Sequence, residues 1–163
     1  MTTEEQIARI ERFLQQVIVG ELGKLVQAEL AFMQFVAMGQ AIEVLGGFLD
    51  NRPMKAKGQA ALRFAAAIDH LFGGNYRALN DGNYLYRKFR NQMTHALLPS
   101  REIRLVNREE QAGTARHLER SGGQLLFIAE VFYRDICTAA SRLITLLQEG
   151  KIKPKNIVFE DAN

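Results

Sequence analysis

Cysteine occurs once in the 163 residues, at Cys137. That count excludes an internal disulfide and a thiolate metal cluster, and it reads as an intracellular chain. With Ile136 and Ala139 beside it, the thiol reads as packed, not catalytic. Long apolar runs are also missing. The longest charge-free, apolar-rich stretch near the start, Leu30 to Ile42, has 13 residues, too few to cross a bilayer. Glu4 and Glu5 stand where a secretory leader would carry basic residues. The expectation is a cytoplasmic protein that does not engage a membrane. There is no low-complexity tract and no internal repeat. Spacings of the H-x-x-x-H, H-E-x-x-H or paired Cys/His kind are absent. A metal site built from Asp69, His70 and His95 or His117 therefore has no support, and neither metal nor cofactor is expected.

What is present is an ordinary globular composition with an uneven charge. The net charge of +3 divides into +7 over residues 52–120, from 13 Lys/Arg and 6 Asp/Glu, and −4 over the remainder. A locally basic middle attracts polyanions. The plain reading is that arginine stems cover apolar surface.

The apolar periodicity is mainly helical. Thr3 and Gln6 have the spacing of a capping box, and Ile7, Ile10, Leu14, Val17 and Ile18 follow in a first helix ending near Gly20. A longer pattern runs from Leu22 to Leu49, with Gly39, Gly46 and Gly47 permitting close helix approach or a kink. A third helix spans 58–72, with Leu62, Phe64, Ile68 and Leu71 on its buried side. A fourth, capped by Asn80-Asp81, continues to Leu98, where Pro99 stops it. Short strands are predicted over 102–106, 114–118 and 124–128, and a last helix over 129–148. Residues 151–163, with Lys151, Lys153 and Lys155 around Pro154, read as a loose, solvated tail. The fold class is mainly α: an up-and-down bundle of about five helices with a small antiparallel β insertion before the last one. Residues 1–150 form one domain, to which helix 3–19 is read as an addition.

Chemistry gathers on the fourth helix, in Tyr86-Arg-Lys-Phe-Arg90-Asn91-Gln-Met-Thr-His95. With Arg90 at zero on a wheel of about 100° per residue, Thr94, Arg87, Asn91, Tyr84, His95 and Lys88 fall between roughly 40° and 160°. Leu85, Phe89, Met93, Ala96 and Leu97 fill the opposite arc. A fixed cation beside an imidazole titrating near neutrality suits phosphate chemistry. Arg90 and His95 can equally be surface residues of an amphipathic helix, or ties between the bundle and its hairpin.

The Arg90-Asn91-x-x-x-His95 pattern, within a helix of a small bundle, resembles the HEPN domain superfamily. Its hallmark is an arginine, usually followed by a polar residue, with a histidine a few positions on. The likeness extends to Tyr84 and Tyr86, to Ile42-Glu43-Val44-Leu45-Gly46-Gly47 on the earlier helix, and to the succession of motif helix, hairpin and closing helix. It covers roughly residues 20–150. Catalytic members are metal-independent endoribonucleases, many in toxin–antitoxin or phage-defence settings. The resemblance implies that His95 acts as general acid or base, that Arg90 holds the scissile phosphate and that Asn91 orients the imidazole or donates to a phosphate oxygen. Tyr84, Arg87, Lys88 and Thr94 would contact the substrate, RNA. It also implies a homodimer through the motif helix and a nucleotidyltransferase-type partner protein. The alternative is a non-catalytic helical module that binds a partner or nucleotide.

Overall fold

A computed structural model describes residues 1–160. Its first helix, α1 (Thr3–Phe13), is capped by Thr2, whose Oγ1 accepts from Glu5 N–H at 3.1 Å while Glu5 Oε2 accepts from Thr2 N–H at 2.6 Å. The capping box thus lies one residue before the predicted one, because Glu5 can return the bond as a charged acceptor. The helix does not end near Gly20. It passes through a π-helical stretch, Leu14–Glu21, into α2 (Leu22–Gln27). Ile10, Leu14, Ile18 and Leu22 recur every four residues and are buried in the same core as the later helices. The segment is therefore integral to that core.

The long pattern predicted over 22–49 is broken by turns at 28–32. After them comes α3 (Met33–Gly47), which carries nine buried residues. Two of its glycines mark close approaches. A Cβ on Gly46 would overlap the Arg63 carbonyl oxygen, and one on Gly39 would stand 3.1 Å from Arg90 Cγ. The partner at Gly46 is α4 (Ala60–Ala67), which continues through a π stretch, Ile68–Phe72. Leu62 is 67% exposed, against expectation, and Arg63 takes the buried position. Its guanidinium donates to Asp50 Oδ2 at 2.8 Å and to the carbonyls of Met54 and Pro53 at 2.7 and 2.8 Å. A short α5 (Gly74–Leu79), absent from the sequence reading, precedes the motif helix. That helix is helical from Tyr84, π-helical over Tyr86–Asn91 and α-helical as α6 (Gln92–Ala96). It ends at Leu97 in the left-handed region, φ 58°.

Three strands follow, β1 (Ile103–Val106), β2 (Arg120–Ser121) and β3 (Gln124–Ile128), in the order β1-β3-β2. β1 runs parallel to β3, with Ile103 opposite Leu125, and only β2 is antiparallel to it. The predicted antiparallel insertion is corrected on this point, and 114–118 is no strand. Leu118, with φ 66°, turns its N–H onto Leu126 O at 2.7 Å without extending the ladder. The closing helix, α7 (Ala129–Gln148), buries Phe132, Ile136, Ala140, Leu143 and Leu147, as its period predicts. The tail is not loose over residues 151–160. Lys155 Nζ reaches Asp50 Oδ1 at 2.7 Å and the Gly47 carbonyl, Arg9 donates to Ile157 O at 3.2 Å, and Phe159 meets Phe13 edge-on at 5.4 Å. The rest of the predicted tail, 161–163, lies outside the described residues. No helix among the described residues is long and apolar enough to cross a membrane.

Candidate functional site

The motif helix lies across α3, and the crossing decides what its side chains do. Phe89 and Met93 are fully buried, and Phe89 meets Phe35 of α3 edge-on at 6.2 Å. Gly39 leaves room for the Arg90 backbone to come close. One helical turn later on the same face stands Glu43, and its carboxylate forms an ion pair with the Arg90 guanidinium. The pair is enclosed, with side-chain exposures of 9% for Arg90 and 21% for Glu43. Tyr86 adds its ring 5.5 Å from the guanidinium carbon, while Arg90 Nε has no hydrogen-bond partner among the described residues.

The wheel put Arg90 on an open face with His95. The structure puts it inside, for two physical reasons. Tyr86–Asn91 is π-helical, so the α pitch behind the wheel does not hold there. Gly39 and Glu43 also supply the space and the counter-charge that a buried arginine needs. His95 is exposed, Asn91 and Thr94 are half-buried, and Thr94 Oγ1 accepts from Gln40 Nε2 at 3.5 Å. Leu97 and Leu98, just beyond His95, are 50% and 56% exposed. No hydrogen bond among the described residues joins His95 to Arg90 or Asn91.

The residues assigned to substrate contact are partly committed elsewhere. Tyr84 donates its hydroxyl to Glu102 Oε2 at 2.8 Å, and Arg120 stacks 5.0 Å from its ring centroid. Lys88 pairs with Glu102 at 3.6 Å. The Tyr84 hydrogen bond, with help from Lys88 and Arg120, holds the Glu102 carboxyl below its ordinary range. Arg87 is exposed and spends one donor on Gly82 O at 3.2 Å. Cys137 is half-buried, and burial pushes its thiol up, away from a thiolate nucleophile. Among the described residues no three His, Cys, Asp or Glu side chains gather to hold a metal ion.

A second polar constellation escaped the sequence reading. Tyr76 of α5, His117 of the loop before β2 and Asp135 of α7 meet over separations of 41 and 59 residues. The backbone N–H of Ile128 donates to His117 Nδ1 at 3.0 Å. That nitrogen must then carry a lone pair, so Nε2 bears the proton and donates it to Tyr76 Oη at 2.8 Å. Tyr76 in turn donates to Asp135 Oδ2 at 2.5 Å. Burial drives the imidazole pKa down to about 3 and keeps it neutral. Burial first, and the Asp135 carboxylate second, push the Tyr76 phenol far above its usual value. The only local signal was His117 itself, a polar residue in a stretch read as a strand. In comparisons with known proteins, no family model, no curated protein and no solved structure matches the chain.

Proposed function

We propose that the chain is a HEPN-like helical protein that works as a homodimer and cleaves RNA without a metal, using His95 for proton transfer. The observation carrying this reading is the exposure of His95 at the last turn of the motif helix, beside the bared Leu97 and Leu98. Two uncovered leucines next to an imidazole suit a twofold contact. Such a contact would bring a second His95 to the same groove. One imidazole then takes the 2′-hydroxyl proton while the other donates to the leaving 5′-oxygen. Asn91 and Thr94 flank His95, and exposed Arg87 is the cation open to a phosphate. Arg90 does not clamp the phosphate in this reading. Locked to Glu43, it fixes the motif helix on α3 and so positions His95. A toxin–antitoxin or defence setting, with a nucleotidyltransferase-type partner, goes with this reading.

The commitment of Arg90 to Glu43 favours a second reading, in which the bundle is a non-catalytic module binding a partner or nucleotide through the same face. Single-stranded RNA incubated with the pure protein and a chelator separates the two. The first reading expects cyclic-phosphate ends, lost in His95→Ala with little change in melting temperature, since the side chain is exposed. Intact RNA with wild-type protein leaves the binding module. Undiminished cleavage by His95→Ala removes the imidazole from the reaction.

A further inference from the structure

Between the start of α5, the loop at 109–118 and α7 lies a cleft of about 620 Å³, within the size range of small-molecule sites. Phe72, Tyr76, His117 and Asp135 line it, together with Glu109 and Arg116. Its polar groups are ordered in one direction. Ile128 N–H, His117 Nε2–H and Tyr76 Oη–H each donate toward the next group, and the series ends on Asp135. Every donor in it is neutral, so the chain stabilises a carboxylate at its end without cancelling the charge. The second Asp135 oxygen has no partner among the described residues, and no cationic side chain among them pairs with Asp135. By contrast, the nearby Glu109 is already neutralised by Arg134 at 2.6 Å.

A half-buried carboxylate without a counter-ion, in a cleft that Phe72 and Tyr76 also line, matches the recognition of organic cations. A divalent metal ion fits poorly, because it asks for several oxygen ligands and no such cluster is present among the described residues. Arg116 disfavours a ligand that is cationic throughout its length and suits one whose single cationic end passes inward.

We propose that this cleft binds a small primary ammonium ion, with Asp135 as its counter-ion and Phe72 and Tyr76 as its aromatic wall. The proposal is independent of RNA cleavage and of the His95 face. The test is titration of the full chain with n-butylammonium chloride, with sodium butyrate and n-butanol as matched probes at constant ionic strength. Saturable, roughly millimolar binding is expected for the amine alone. NMR shifts should centre on Tyr76, Ala115 and Val131, which line the cleft. Asp135→Asn, which keeps an acceptor for Tyr76, should weaken the amine by about tenfold or more. Absence of saturable amine binding, equal binding of butyrate, shifts centred elsewhere, or undiminished affinity in folded Asp135→Asn would each overturn the assignment. Should Asp135→Asn fail to fold, the location of the wild-type shifts decides.

Discussion

The enclosed Arg90–Glu43 pair permits a quantitative test of what the arginine is for. Replacing Arg90 with Met strands a carboxylate that is still 21% exposed, so water relieves part of the penalty and the loss should be about 2–4 kcal/mol. Replacing Glu43 with Leu strands a guanidinium that is 9% exposed and already has an unpartnered Nε, so about 3–5 kcal/mol is expected. The double variant removes both charges. Buried pairs replaced by apolar groups are often near neutral, and loss of the contact with Tyr86 adds up to about 1 kcal/mol, so its total cost should be about 0–2 kcal/mol. The double variant should therefore be more stable than either single one, with a coupling of at least about 3 kcal/mol in a double-mutant cycle. Urea denaturation monitored by circular dichroism, with m-values compared across the four proteins, measures it. Additivity within about 0.5 kcal/mol would refute the reasoning that each charge is held by the other. The folded double variant also has a functional use. If wild type cleaves RNA as proposed and the double variant cleaves it equally, Arg90 acts only through the fold. If cleavage vanishes while the fold persists, Arg90 takes part directly.

Gly46→Ala forces a Cβ into the Arg63 carbonyl, 2.5 Å from its carbon, and should cost more than about 3 kcal/mol, beyond ordinary overpacking; wild-type stability in urea would contradict the observed helix crossing. For Asp50, partial burial raises the carboxyl, but hydrogen bonds from Arg63, Lys155 and the Arg52 N–H outweigh it and hold it well below its ordinary value. A depressed folded-state pKa contributes stability above about pH 4 and loses it as pH falls; melting temperature should drop on acidification, and Asp50→Asn should flatten that slope. Leu97→Gly relieves a left-handed leucine and should stabilise the monomer by about 0.5–1 kcal/mol. If the leucine also lies in a dimer contact, sedimentation should show weaker self-association in the same variant.

Legibility in the sequence followed the range of the interactions. The period of Phe132, Ile136, Ala140, Leu143 and Leu147 is local, and α7 follows it. Gly39 and Gly46 were legible as points of close approach, though not what would approach them. Strand direction was not legible, because pairing of β1 with β3 depends on the return path of residues 107–123. Lys155 read as part of a solvated tail, and nothing in the sequence assigned Arg63 to the interior. Their burial rests on Asp50, 13 and 105 residues away, and on backbone carbonyls that a sequence does not display. At the candidate site the imidazole was placed correctly on the outside, but the guanidinium was not. A uniform wheel cannot register a change of pitch, nor a glycine on another helix.

That change of pitch has a further consequence. A π turn holds one residue more than an α turn, so Tyr86–Asn91 carries a surplus position immediately around Arg90. Deleting a single residue there would let the helix rewind to α pitch while the turns on either side keep their register. The motif helix can therefore lose one position around Arg90 and still present Met93 to the core and His95 to solvent, as they stand now.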